Sequence, residues 1–341
     1  MCVACQYGKL TRRPWRTKET PSNSRPATSP GEIVSVDQLE SYTPGFYAQL
    51  KGWLTSKRYN SATVFVDQFS GFTYVHLQIS TNGEETLKAK NAFELLARSY
   101  GVTIGAYHGD NGRFAENLFV NASKEFPSQR LTFCAVNQHS QNPYAEKRIR
   151  DLTDQGRTNL LHAKKRWPDA INVNLWPYAL RSTSAVDNLT PRRKDAQTPV
   201  ELFSGTRIAP QLRNFHHFGC PVYQLDSTLA NGKHLNKWKS RAQLGINLGP
   251  SPQHARSVAL VLNPITGLVS PQFHCKFDDF FETVRPSVDP SPLPIYWQVK
   301  AGFAPDPITG RYPKIWQPPK DVPPRGPTKG PKGPVPRPRA N

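Results

Sequence analysis

Three acidic residues of this 341-residue chain stand where carboxylates can do chemistry. Asp37 closes a short apolar run that includes Ile33, Val34 and Val36. Asp110 follows a second apolar run and sits in the Gly-flanked turn His108-Gly109-Asp110-Asn111-Gly112. Glu146 opens a long basic stretch of helical pattern. Positions 111 to 145 lie between the last two, enough for one helix, one strand and a return. Carboxylates crowded together repel, and two Mg²⁺ ions about 4 Å apart relieve that repulsion. Carboxylate and water oxygens are the ligands that hard Mg²⁺ prefers. Such a pair activates an attacking water or hydroxyl and stabilises the leaving oxygen of a phosphodiester. Asp67, in VFVDQFSGF, is the rival for the first position. It lies beside Ser70-Gly71, where an Asp commonly caps a turn, and a meander carries that strand end away from Asp110.

Polar and basic residues surround the trio in sequence. Gln141 and Asn142 precede the long helix and can reach backbone phosphate or bases. Arg150 lies four residues after Glu146, on the same helix face, and Lys147 is close by. Arg148 and Arg157 fall partly on other faces. His108 shares a strand side with Asp110 and reads as a hydrogen-bonded neighbour of the mouth. His216, His217 and Cys220 read as packing and turn residues. Cys2 and Cys5 form C-x₂-C, two ligands that by themselves do not hold structural zinc.

The elements that must position these residues follow from period and punctuation. Strands are expected near 33–37, 63–67 and 72–79, the last two joined by Ser70-Gly71. A helix is expected over 82–100, with Asn82 or Thr81 as cap and Gly101 after it. A strand at 102–107, a short helix at 114–126, a strand at 131–136 and the helix 144–165 complete the unit. The first three strands form an antiparallel meander and no Gly-rich phosphate loop follows them, which excludes a doubly wound nucleotide fold. The order matches a ribonuclease-H-like layered sheet. Beyond it, CPVYQL, QLGINL, SVALVL and QFHCKF alternate between turn signals, the pattern of a small barrel.

Composition sets the partner class. Lys plus Arg number 44 against 25 Asp plus Glu, a formal charge of +19, which calls for a polyanion, nucleic acid first. No run of 18 apolar residues occurs, so no spanning helix is expected. The first 20 residues carry five basic groups and no apolar core, so no secretory signal is expected. Five scattered cysteines exclude a disulfide scaffold and fit a reducing compartment. Of 33 prolines, nine fall in 317–341 with six Lys or Arg and one acid, a disordered basic tail.

The motifs resemble a known family. HGDNGRF (108–114) is similar to the second-Asp motif of the integrase core of retroviruses and retrotransposons. HSQNPYAEKRIR (139–150) resembles its Glu motif, nearest the copia-type form. TPVELFSG, LRNFHHFGCPVY, KWKSRAQLGINLG and LVLNPITGLVSPQFH resemble the same polyprotein lineage. The resemblance spans about residues 2–284. It implies an α/β chain: a ribonuclease-H-like mixed five-stranded sheet flanked by helices, then a small all-β, SH3-like barrel and a disordered tail. The corresponding units are a basic leader at 1–31, the catalytic core at 32–170, a helical extension and linker at 171–212, the barrel at 213–284 and the tail at 285–341.

It further implies Mg²⁺, with Mn²⁺ as a possible substitute, held by Asp37, Asp110 and Glu146 for 3′-end processing and strand transfer. Gln141, Asn142, Lys147 and Arg150 would contact the element's DNA. Double-stranded DNA and further copies of the chain are the implied partners, with no membrane and no small-molecule cofactor, and the nucleus is the implied location. The family carries a His pair upstream of such a Cys pair, so the leader reads as the remnant of a truncated zinc segment that does not itself hold Zn²⁺. Pro143 stands where the family usually has Gly. It suits a helix N1 position but stiffens a loop that the family keeps mobile. The alternative reading is a catalytically decayed nucleic-acid-binding remnant of a retroelement polyprotein.

Overall fold

The computed structural model describes residues 2–9, 26–48, 54–125, 129–134, 142–191, 197–208, 214–284 and 296–313. The strands β1 (Val34–Phe46), β2 (Arg58–Asp67), β3 (Thr73–Gln78), β4 (Ala106–Gly109) and β5 (Arg130–Phe133) form one sheet in the order β3-β2-β1-β4-β5. β1 runs antiparallel to β2 and parallel to β4, so the sheet is mixed. Its two faces follow the period of two. Phe65 turns to one face, with Val34, Val36, Phe93, Tyr107 and Phe119. Val64 and Val66 turn to the other, with Leu152 and Leu180. The first face is covered by α2 (Gly83–Ser99), α3 (Asn117–Lys124) and α6 (Pro199–Ser204). The second is covered by α4 (Pro143–Arg166) and α5 (Trp176–Asn188). This is the ribonuclease-H-like layering that the element order predicts.

Local signals explain the helix ends. Asn82 Oδ1 accepts from the Glu85 amide at 2.9 Å and starts α2, and Gly101, at φ +75°, follows its last turn. Thr198 and Glu201 form a reciprocal capping box at α6.

The structure corrects several expectations. Asp37 does not end β1, which continues to Phe46. The register against β2 shifts between Glu40 and Gly45, and β4 pairs only at Val34 and Ser35. Pro44 thus falls on an edge, where its missing N–H costs no ladder bond. The leader is not wholly irregular: α1 (Val3–Lys9) packs on α4, and Arg157 donates to the Gly8 carbonyl at 3.0 Å. Residues 296–313 are not tail-like either. There α8 (Trp297–Lys300) buries Trp297 fully, and its indole donates to the Ala170 carbonyl at 2.7 Å. The rest of the expected tail, 285–295 and 314–341, lies outside the described residues.

The expected all-β unit is an antiparallel sheet of β6 (Pro221–Leu225), β7 (Ala242–Pro250), β8 (Ala259–Leu262), β9 (Val269–Gln272) and β10 (Cys275–Phe277), with no pairing between β9 and β10 among the described residues to close it into a barrel. A short helix, α7 (Ser227–Ala230), follows β6. All pairings are antiparallel, in the order β10-β6-β7-β8-β9. Its core is continuous with the helical layer. Ile246, Leu248, Leu260 and Leu262 pack in one cluster with Leu160, Trp167, Tyr178, Phe46 and Trp297.

Candidate active site

The sheet order sets β1 beside β4, the strands that lead to the first two carboxylates. The parallel pair β1 and β4 matches Ser35 with His108. Asp37 follows two residues after Ser35, and Asp110 two residues after His108, just past the end of β4. Asp37 pairs across β2 with Val64, whose side chain joins Leu152 of α4 and Leu180 of α5. Cross-strand partners share a face, so Asp37 turns toward the α4 layer. Glu146 lies in the first turn of that helix.

Cys134 lies next to Asp110 in space, its amide donating to the Gly109 carbonyl at 3.0 Å. It sits just beyond β5, and its titration is pushed upward by burial and then by the negative charges of Asp110, Glu146 and Asp37. Asp110 Oδ1 is buried and accepts no hydrogen bond from any described residue. A buried oxygen without a donor is costly unless something else satisfies it. A carboxylate oxygen of that kind is the hard donor that a divalent cation takes. Among the described residues, no three His, Cys, Asp or Glu side chains are gathered closely enough to hold one ion. Gly112 leaves room for Asp110: a Cβ there would meet Asp110 Oδ2 at 3.0 Å.

Asn142 has a different place from the one expected. It is 2% exposed, and its Nδ2 donates to the Val36 carbonyl at 2.9 Å. It cannot reach a phosphate from there. It ties the start of α4 to β1 one residue before Asp37, and its carbonyl accepts the Glu146 amide at 3.1 Å. Lys147 and Arg150 are exposed on α4, as a phosphate contact requires. Arg148 turns inward to Asp187, at 3.5 Å. Gln141 lies outside the described residues. Pro143 occupies the first turn of α4.

The remaining candidates sort by their partners. Asp67 is fully buried and accepts from the Gly31 amide and the Ser70 amide, each at 2.8 Å, and from the Ser70 hydroxyl. Burial pushes its carboxyl above the ordinary range, against those hydrogen bonds. It clamps the β2–β3 turn. His108 is held by Thr132 Oγ1 at 2.9 Å, with Cys134 Sγ at 3.8 Å from its other nitrogen. His216 stacks on Phe277 at 3.5 Å and pairs with Asp279 at 2.9 Å, while Cys220 is fully buried. Asp279, which also accepts the His217 amide at 2.7 Å, was not foreseen. Nothing in its local sequence distinguishes it from the adjacent Asp278.

No protein-family model and no curated protein matches the chain. Solved structures do. A simian T-cell lymphotropic virus intasome, in complex with the PP2A regulatory subunit B56 gamma, is 17% identical. That match covers 81% of this chain and 87% of the other, at a TM-score of 0.41. The HTLV-2 integrase catalytic core in complex with magnesium is 16% identical over 51% of this chain and 97% of its own, at 0.36. The BIV integrase catalytic core is 17% identical over 51% and 93%, at 0.35. With TM-scores below 0.5 these likenesses carry no weight here; the fold rests on its own strand order and the site on its own residues.

Proposed function

We propose that the chain is an integrase of the retroelement type, a Mg²⁺-dependent polynucleotidyl transferase that trims DNA 3′ ends and joins them to target DNA. What supports this reading is the strand order that sets β1, carrying Asp37, next to β4, which leads into Asp110, with Glu146 in the first turn of the helix that packs on the Asp37 face. Mg²⁺ bound there supplies activation of the attacking hydroxyl and stabilisation of the leaving oxygen. Asp37, Asp110 and Glu146 would hold it, with Asp110 Oδ1 hydrogen-bonded to none of the described residues. Arg150 and Lys147, exposed on the helix that carries Glu146, hold backbone phosphates near the carboxylates. Asn142 keeps Glu146 and Asp37 in register. The motif spelling points to the copia type, acting on double-stranded DNA as a homo-oligomer in the nucleus.

A specific observation favours a second reading. The carboxylates of the described residues do not close around one ion, which fits a DNA-binding remnant without turnover. A strand-transfer assay with labelled duplex ends, in Mg²⁺ and in Mn²⁺, separates the two. Metal-dependent joined product supports the transferase; tight DNA binding without product in either metal supports the remnant.

A further inference from the structure

The loop between α7 and β7 presents an aromatic ring that the proposed chemistry does not use. Trp238 is 95% exposed. Of the other described tryptophans, Trp167 and Trp297 are buried and Trp176 packs against the core. An exposed indole on an ordered turn offers a flat π-face and a polar N–H to a partner. The turn is ordered by its own bonds. Asn236 accepts the Trp238 amide on its side chain at 3.4 Å and the Lys239 amide on its carbonyl at 3.1 Å. Lys233 donates its amide to the Thr228 carbonyl at 3.0 Å, and Asp226 donates its own to the Arg241 carbonyl at 2.9 Å, closing the base.

The surroundings of the ring define the partner. Lys233, Lys237, Lys239 and Arg241 are all exposed, and no acid occurs from Ser227 to Arg241. The acid at the base, Asp226, is engaged by the Thr228 amide at 2.8 Å and by Gln243 at 3.1 Å. Its carboxyl is held below the ordinary range by the Thr228 hydrogen bonds and, more weakly, by the charge of Lys239. An exposed flat π-face with a lysine on either side in sequence suits a ligand that alternates planar rings with negative charges. We infer that this loop binds unpaired nucleotides of a nucleic acid, with a base stacked on Trp238 and the flanking phosphates on Lys237 and Lys239. Every base has a π-face, so the contact tolerates sequence, and the cations follow the backbone. A fully paired duplex hides its base faces and meets only the cations. The contact needs none of the carboxylates, so its failure would leave the transferase reading untouched.

The test uses the full chain and labelled oligothymidylate, with affinity followed across salt. Trp238→Ala should weaken binding about tenfold, as loss of one stacked base implies, without changing the slope of log affinity against log salt. Trp238→Phe should keep most of the affinity. Lys237→Ala with Lys239→Ala should lower the slope by about 1.4, roughly 0.7 for each single-strand phosphate released. A blunt, fully paired hairpin should feel the lysine change but scarcely the Trp238 change. Because the ring touches little of the fold, far-UV circular dichroism should be the same for all variants. Unchanged oligothymidylate affinity in Trp238→Ala overturns the inference, as does an equal loss on the paired hairpin. Loss of binding to phosphatidylserine vesicles, with oligothymidylate binding intact, overturns it in favour of a membrane contact.

Discussion

Asn142 donates from its side-chain amide to the carbonyl of Val36 at 2.9 Å, across 106 residues of sequence. The bond joins the start of α4 to the strand that carries Asp37, and Glu146 lies one turn away. Asn142→Ala leaves the buried Val36 carbonyl without this donor, a cost of about 1–3 kcal/mol. Urea denaturation should show that loss, and strand transfer should fall further than stability explains. DNA affinity should hold, since the side chain is 2% exposed. A variant with weakened DNA binding and normal turnover would return Asn142 to the phosphate role that its loop position suggested.

Cys134 supplies a chemical gauge of the carboxylate cluster. Its thiol is pushed up by burial and by Asp110, Glu146 and Asp37 in that order. The pH dependence of its alkylation by iodoacetamide should move to lower pH in Asp110→Asn, in Glu146→Gln and, least, in Asp37→Asn. Mass spectrometry of the peptide containing Cys134 gives the rate. If one substitution leaves the profile in place, that carboxylate is remote from the sulfur.

Beneath α2, Lys90 and Glu94 form an ion pair at 2.8 Å, with side chains 1% and 5% exposed. Tyr107 and Gln129 donate to the same Glu94 oxygen, at 2.8 and 2.9 Å. Burial pushes the Glu94 carboxyl up, but Lys90, Gln129 and Tyr107 together outweigh it and hold the carboxyl below its ordinary value of 4.5. Glu94→Gln strands a buried ammonium and should cost about 3 kcal/mol at neutral pH. A depressed folded value means that this stability is present above pH 4.5 and is lost as pH falls through the folded value. The gap between wild type and Glu94→Gln in urea should therefore shrink on acidification. A gap independent of pH would show that the pair contributes through shape alone.

Arg150 is exposed on α4, four residues past Glu146. Arg150→Ala should weaken duplex binding at all sequences and reduce the log–log salt slope by about 0.9, one phosphate. An unchanged slope would place its guanidinium off the DNA.

Much of the site was legible because period and order are written locally. The alternation in ATVFVD fixes which face Val64 takes, and that fixes the face of Asp37. The turn around Asp67 was legible too, since Asp beside Ser-Gly has a local role. What escaped depends on distant partners. Asn142 looks like any polar loop residue until Val36 arrives from β1. The reach of β1 to Phe46 was hidden by Pro44, which is tolerated only because β4 has already stopped pairing. Trp297 lies in a Pro-rich context that reads as tail, yet it fills a core contributed by α4, α5 and the β unit.

The most direct measurement compares Mg²⁺-dependent strand transfer and DNA affinity in wild type and Asp110→Asn. Asparagine keeps the size of the side chain and removes one ligand charge that a divalent cation requires. DNA binding rests on Arg and Lys, so its affinity should stay within a few fold. The account predicts joined product from wild type in Mg²⁺, none from Asp110→Asn, and near-equal DNA affinity for both. Full transfer by Asp110→Asn would contradict the carboxylate assignment, and no transfer by wild type in Mg²⁺ or Mn²⁺ would contradict the enzyme itself.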